Sequence, residues 1–411
     1  MGLADVLAVL GVLLMLGAVI AGLAQRTFLS LTAIFVVAGL VLGRGGLDVL
    51  EFDPQSGFVE TLATVALILI LFRDGLEVEE EMLQQAWRPP LRKLMLAMPL
   101  TCVLVACVTK AVTDLSWTQA FLVGALLSPT DPVLSSSVVT NPRVPRIVRH
   151  SLNLESGLND GLALPAVLAF AYSLDPAKSD FVWWRFVVQD VTLGFAVGIG
   201  VGLVASVVMT RSRTLSWEVT PHNKAMGALG VAFTTYAVAH GVHGNGLIAV
   251  FVCAITLGIR RPDIRESFEG HTEDIIEIVK LGVFVVFGAV LTFHGLFQDG
   301  AAAVAIVLFT LVVARPVSVL IALVGTRTDL HTRLFMGWFG PKGVATMTFS
   351  LLVLGLGLPD GGRIFNIAAL AVVTSIIVHG LTDTPGSEAI ARHTERVPPE
   401  PGLRSARQAS P

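Results

Sequence analysis

Residues 124–132 read GALLSPTDP and residues 154–160 read LESGLND, and both lie inside apolar runs of helical length. They place three carboxylates, Asp131, Glu155 and Asp160, within thirty residues of one another. A carboxylate near the centre of a bilayer costs several kcal/mol on insertion scales. Such groups persist in apolar segments where something polar meets them, and the candidates are a cation, a proton, or each in turn.

The surrounding composition sets the membrane context. The chain has 411 residues, of which 54% are hydrophobic and 14% charged, with a mean hydropathy of +0.75. An average soluble protein carries about 25% charged residues. The apolar residues form blocks of helix length separated by short charged loops, which reads as an all-α polytopic membrane protein. A transmembrane barrel requires strict alternation, and there is none. The first run (3–24) has no basic residues ahead of it and reads as a spanning helix, not a cleaved signal peptide. Cys102, Cys107 and Cys253 sit in apolar runs and read as packing residues. Neither a disulfide, a cofactor nor a nucleic-acid partner is expected.

About thirteen spans are expected, within a membrane domain at 1–382 followed by a short disordered cytoplasmic tail at 383–411. Most of the 28 basic residues fall in loops on one side, including Arg88, Arg92 and Lys93. The opposite side holds only Arg44, Lys110, Lys178, Arg185 and Arg363. This bias puts the N-terminus outside and the C-terminus in the cytoplasm. Lys280, Arg315 and Lys342 fall inside spans, and an intrahelical pair with Glu277 or snorkelling accounts for Lys280. The acidic stretch 77–88 reads as a helical cytoplasmic extension. His379 lies near a span end and suggests no role.

Two spans are interrupted. The fifth (117–139) is cut by SPTDP at 128–132, and the twelfth (333–355) by GWFGPKG at 337–343. Proline and glycine at this density break a helix. Breaks in corresponding positions of two halves point to inverted repeats and a midplane ion site. A break exposes backbone N–H and C=O groups and the partial charges of two helix ends. Asp131 suits the positive end, Lys342 can offset exposed carbonyls, and the Thr130 carbonyl is a hard-cation ligand. In the sixth span a spacing of four sets Glu155 above Asn159 and Ser156 above Asp160. Asp160, Ser156, Asp131 and Thr130 then form an all-oxygen cluster suited to a monovalent cation, with too few carboxylates for calcium. Burial favours a neutral carboxyl and a bound cation favours the charged one, so proton and cation compete for Asp160. Glu155 needs a cationic partner, and Arg315 is the first choice. A cation channel and an intramembrane aspartyl protease are the competing readings. The first lacks a filter motif, and the second lacks the Gly-x-Gly-Asp signature.

LFRDGLE (71–77), GALLSPTDP, LESGLND, ARPVSV (314–319) and GWFGPKG in this order resemble the monovalent cation:proton antiporter-1 family, the NhaP/NHE type. The resemblance implies thirteen helices, with core helices around 91–172 and 300–381 carrying two crossed discontinuous helices. It implies that the remaining helices serve dimerisation and scaffold, and that transport follows an elevator motion in the inner (plasma) membrane. It implies that Asp160 binds ion and proton with Asn159 beside it, that exchange of Na⁺ or K⁺ for H⁺ is electroneutral, and that the protein is a homodimer. Glu155 with Arg315 matches the family's structural ion pair, and Thr130, Asp131 and Ser156 match positions completing the ion site. Two departures stand out. Arg73 followed by Asp74 replaces an acidic residue after Phe72, and Lys342 replaces an arginine.

Overall fold

The computed structural model describes residues 31–396 except 56, 79–87, 132–137, 139, 140, 142, 179, 215–219 and 327, together with 11, 12 and 15. The described secondary structure is helical. In chain order the main helices are α1 (Leu31–Leu42), α2 (Gly57–Leu76), α3 (88–112), α4 (Trp117–Leu127) and α5 (Arg146–Leu174). There follow α6 (183–214), α7 (Pro221–Gly241), α8 (Gly246–Arg260), α9 (Pro262–Val290) and α10 (Ala301–Ala322). The last three are α11 (Leu330–Trp338), α12 (Val344–Gly355) and α13 (Gly361–Arg396). Twelve of the expected spans coincide with these helices, counting α11 and α12 as one interrupted span. The first expected span (3–24) lies almost wholly outside the described residues, as does the acidic extension after Val78. The chain is a multi-pass membrane protein: among the described residues, five helices are long and apolar enough to cross a bilayer unaided.

Local sequence explains the helix starts. Ser116 and Gln119 form a reciprocal capping box before α4. Thr220 before Pro221 caps α7, Asn245 caps α8 and Asp329 caps α11. Two wide turns with π-type hydrogen bonding, Lys93–Ala97 in α3 and Thr310–Ala314 in α10, each end just before a proline two residues on, Pro99 and Pro316. A proline lacks the N–H owed to the carbonyl four residues back and crowds it. The widened turn accommodates that loss and keeps the helix running.

The helices pack in two groups. α1, α2 and α6–α9 contact one another, and α3, α4, α5 and α10–α13 do likewise. α2 also packs against α5 and α12, and so joins the groups. α1 and α9 meet backbone to backbone: a Cβ on Gly39 would strike the Val285 carbonyl, and one on Gly288 the Val36 carbonyl. Between lipid-facing helices such close approach replaces the hydrophobic drive that water would supply.

The tail departs from expectation. Where disorder was expected from 383, α13 continues to Arg396, with Pro385 inside it. Ile390 and Ala391 are buried, and Ile390 joins a core with Val319, Met336 and Phe339. Gly386 leaves room for the Phe339 ring. The apolar residues among the charges of 383–396 therefore have a face to bury. Residues 397–411 lie outside the described chain.

Candidate ion site at the crossing of two broken helices

The two breaks meet. α4 ends at Leu127, and Ser128–Asp131 follow without helical bonding. The opposite break runs between Trp338 and Val344. The Asp131 amide donates to the Pro341 carbonyl at 2.8 Å. The Lys342 ammonium donates to the Pro129 carbonyl at 3.1 Å, and the Val344 amide donates to Asp131 Oδ2 at 3.2 Å. Thr346 donates its hydroxyl to the Leu126 carbonyl at 3.2 Å. Each break thus supplies the hydrogen bonds that the other lost, which is how irregular backbone survives at membrane depth. Asp131 caps the start of α12, and Lys342, fully buried, offsets carbonyls at the end of α4.

Glycines make the crossing possible. A Cβ on Gly343 would occupy the place of the Asp131 carboxylate, and one on Gly340 the place of the Arg315 guanidinium. His379, for which the sequence suggested no role, is buried. Its Nε2 lies 2.9 Å from the Trp338 carbonyl and its Nδ1 lies 3.0 Å from Ser375 Oγ. Ser375 in turn accepts from the Lys342 amide at 2.8 Å. α13 therefore serves the open end of α11.

α5 brings its polar face to the same place. Asn159 Nδ2 donates to the Thr130 carbonyl at 2.6 Å and lies 3.1 Å from Thr130 Oγ1. The Thr130 carbonyl expected to be free thus already accepts one bond; a carbonyl oxygen has a second lone pair. Asn159 Oδ1 and Asp160 Oδ1 are buried and have no hydrogen-bond partner among the described residues. The Ser156 side chain lies outside the described set. Four of the five expected ion-site residues, Thr130, Asp131, Asn159 and Asp160, are buried at this crossing.

The structure adds Asp74 to the cluster. It is buried on α2, and Arg73 holds its Oδ1 through Nε at 2.9 Å and Nη2 at 2.7 Å. The charges of Asp74 and Asp131 act on Asp160, opposed by those of Arg73 and Lys280. Among the described residues Lys280 forms no ion pair with Glu277; the charges of Arg73, Asp74, Asp131 and Glu273 act on it.

One turn back along α5, Glu155 is held by two cations. Arg315 Nη1 lies 3.0 Å from its Oε1 and Lys93 Nζ lies 2.6 Å from its Oε2. Lys93 also donates to the Ser151 carbonyl at 3.2 Å. The expected Glu155–Arg315 pair is present, but placing Lys93 in a loop was wrong: it is buried in α3. Lys93 opens the first proline-linked wide turn and Arg315 directly follows the second. The Lys-Leu-Met-Leu-Ala-Met-Pro spacing at 93–99 was the signal that could have revealed it.

A family model described as "Sodium/hydrogen exchanger, transmembrane" matches residues 12–386. The chain belongs to the sodium/hydrogen exchanger family. Among similar family members is the K(+)/H(+) antiporter NhaP of Alkalimonas amylolytica, 27% identical over 384 residues, covering 92% of this chain and 65% of that protein. The chain thus spans just under two thirds of the length of such exchangers. The "Probable Na(+)/H(+) antiporter 2" of Methanocaldococcus jannaschii is 22% identical over 353 residues, covering 82% of each. The fold matches that of the sodium proton antiporter MjNhaP1 of the same archaeon, solved at pH 8, with a TM-score of 0.80. The match has 18% identity and covers 94% of this chain and 99% of the other. This exchanger fold is the one with paired interrupted helices expected from the sequence.

Proposed function

We propose that this exchanger is a secondary antiporter that swaps one monovalent cation, Na⁺ or K⁺, for one H⁺ at Asp160. The observation that carries the reading is the pair of buried acceptor oxygens, Asp160 Oδ1 and Asn159 Oδ1, beside the crossed breaks and without a donor among the described residues. A buried acceptor without a partner costs about 1–3 kcal/mol, more when charged. A cation relieves both oxygens, and a proton relieves the carboxylate. Thr130, Asp131 and Ser156 complete the ligand set, and Asp74 strengthens the negative field on the α2 side.

With Asn159 beside Asp160, a single carboxylate changes occupant, which makes the cycle electroneutral. Arg315 and Lys93 fix Glu155 and keep it out of the exchange. α3–α5 and α10–α13 form the moving unit of an elevator, and the other group holds the dimer interface of a homodimer in the inner membrane. The N-terminus then faces outward and the C-terminus the cytoplasm, as the basic-residue bias requires. Relatives named for K⁺/H⁺ and Na⁺/H⁺ exchange support both candidate cations.

The test is cation-driven dequenching of a pH dye in proteoliposomes, with and without an imposed voltage. Asp160→Asn should abolish exchange while the protein stays folded, and the wild-type rate should be indifferent to voltage. Normal exchange by Asp160→Asn removes the assignment.

A further inference from the structure

Away from the crossed breaks, the start of α11 meets the last turn of α13. Asp329, His331 and His393 converge there, each offering a ligand atom within 4.8 Å of the other two. His393 Nε2 lies 3.0 Å from Asp329 Oδ2, and His331 Nδ1 lies 3.8 Å from the same oxygen. The two imidazoles lie face to face, 4.3 Å between ring centres. Three ligands on a tetrahedral ion with bonds of about 2.0–2.2 Å stand roughly 3.3–3.6 Å apart. The two measured separations bracket that value, and the third is within 4.8 Å; closing the set requires the stacked imidazoles to turn so that each points a nitrogen at one ion.

Two neighbouring cations, Arg333 and Arg392, are engaged elsewhere. The Arg333 guanidinium is committed to Thr328 Oγ1 at 3.1 Å and the Thr326 carbonyl at 3.0 Å. Arg392 leans back to Glu388 at 4.0 Å. Asp329 is half-exposed and His331 mostly so, and the flanking residues Thr328, Thr332 and Arg333 are polar; a hydrated ion therefore has access.

We infer that Asp329, His331 and His393 form a surface site for a divalent transition-metal ion of the Zn²⁺ class, separate from the transport site. Two imidazoles and one carboxylate select a borderline ion over magnesium or calcium, which take oxygen ligands. Three protein ligands leave a coordination position for water, the pattern of an open site. His393 and Asp329 are 64 positions apart, so the metal staples the end of α13 to the cap of α11. α11 leads directly into the break that carries Lys342. Metal occupancy therefore stiffens that break from the aqueous side and slows exchange; this last effect alone rests on the antiporter reading.

The test is a Zn²⁺ titration of the tag-free full chain in detergent, competed against a chromophoric chelator, with thermal unfolding measured in parallel. One saturable equivalent is expected, with a rise in unfolding temperature, because a ligand of the folded state alone stabilises it. His331→Ala and His393→Ala should each weaken binding about tenfold or more and erase that rise. His331→Ala, at an exposed position, should unfold like the wild type without metal, and it tests the site even if His393→Ala, which loses its 3.0 Å bond to Asp329, is less stable. His271→Ala, at the separate His222–His271 ring pair, should bind like the wild type. Absence of saturable uptake, or uptake lost in His271→Ala and kept in the other two, overturns the site. Zn²⁺ should also slow proteoliposome exchange in the wild type and not in His331→Ala. A protein that binds zinc without showing exchange would count against the transport reading and leave the metal site standing.

Discussion

Lys93 and Glu155 form a buried ion pair of 2.6 Å between residues 62 positions apart, and Arg315 takes the other carboxylate oxygen at 3.0 Å. Two cations thus share one anion where water is excluded. Breaking a buried pair by removing one partner costs about 3–5 kcal/mol, because the survivor stays charged and desolvated. Here the cost depends on which partner goes.

Glu155→Ala strands both Lys93 and Arg315 and should be the most damaging single change at the triad, by about 3–5 kcal/mol. Arg315→Met leaves a one-to-one Lys93–Glu155 pair and also removes Nε and Nη2, which have no partner among the described residues. Fluorescence-detected thermal unfolding in detergent should rank Glu155→Ala well below Arg315→Met. The reverse order would mean that Lys93 is not a true partner.

Asp131 has two jobs that substitution can separate. Its Oδ2 accepts from the Val344 amide, so Asp131→Asn keeps an acceptor for the α12 cap and loses only charge. Asp131→Ala loses both and should cost roughly 1 kcal/mol more stability, the usual size of a lost helix cap. In proteoliposomes Asp131→Asn should need more cation for half-maximal exchange. Equal unfolding temperatures for Asn and Ala would rule out the capping role.

Gly343→Ala drives a methyl into the Asp131 carboxylate, and Gly340→Ala drives one into the Arg315 guanidinium. Overpacking of this kind costs about 1–3 kcal/mol. Gly362→Ala, whose Cβ would meet nothing within 4 Å, is the control and should be neutral or slightly stabilising. Unfolding temperatures of the three variants decide it, and a neutral Gly343→Ala would contradict the packing of the crossing.

A fourth expectation concerns Asp160. Asp160→Asn should lose all cation-driven proton movement with its unfolding temperature close to that of the wild type. Among the described residues its side chain makes no hydrogen bond through Oδ1 that the amide would forfeit.

The breaks, the acidic positions on α5 and the Glu155–Arg315 pair were legible because each violates a strong rule: proline and glycine inside a span, or charge inside an apolar run. Lys93 was not. It follows Arg88, Pro89, Pro90 and Arg92, which read as a loop and outweighed the local signal in 93–99; the tertiary approach of α5 makes plain that the helix has already begun. Asp74 stood only as part of a departure, because Arg73 occupies the place after Phe72 where the family pattern has an acidic residue and Asp74 follows it. His379 and the helical 383–396 depend on partners far along the chain, Trp338 and Phe339, that local pattern does not name. What sequence conceals here is long-range partnership; what it displays is local conflict.

The reciprocal bonding of the crossing also constrains how the molecule is made. Pro129 and Lys342 are 213 positions apart, so translation delivers the first break long before its counterpart. Until residues 341–344 emerge, the Asp131 amide and the Pro129 carbonyl must rest on water, lipid headgroups or an insertase. A nascent chain halted before that point should therefore remain a substrate for quality control, however well its earlier helices have inserted.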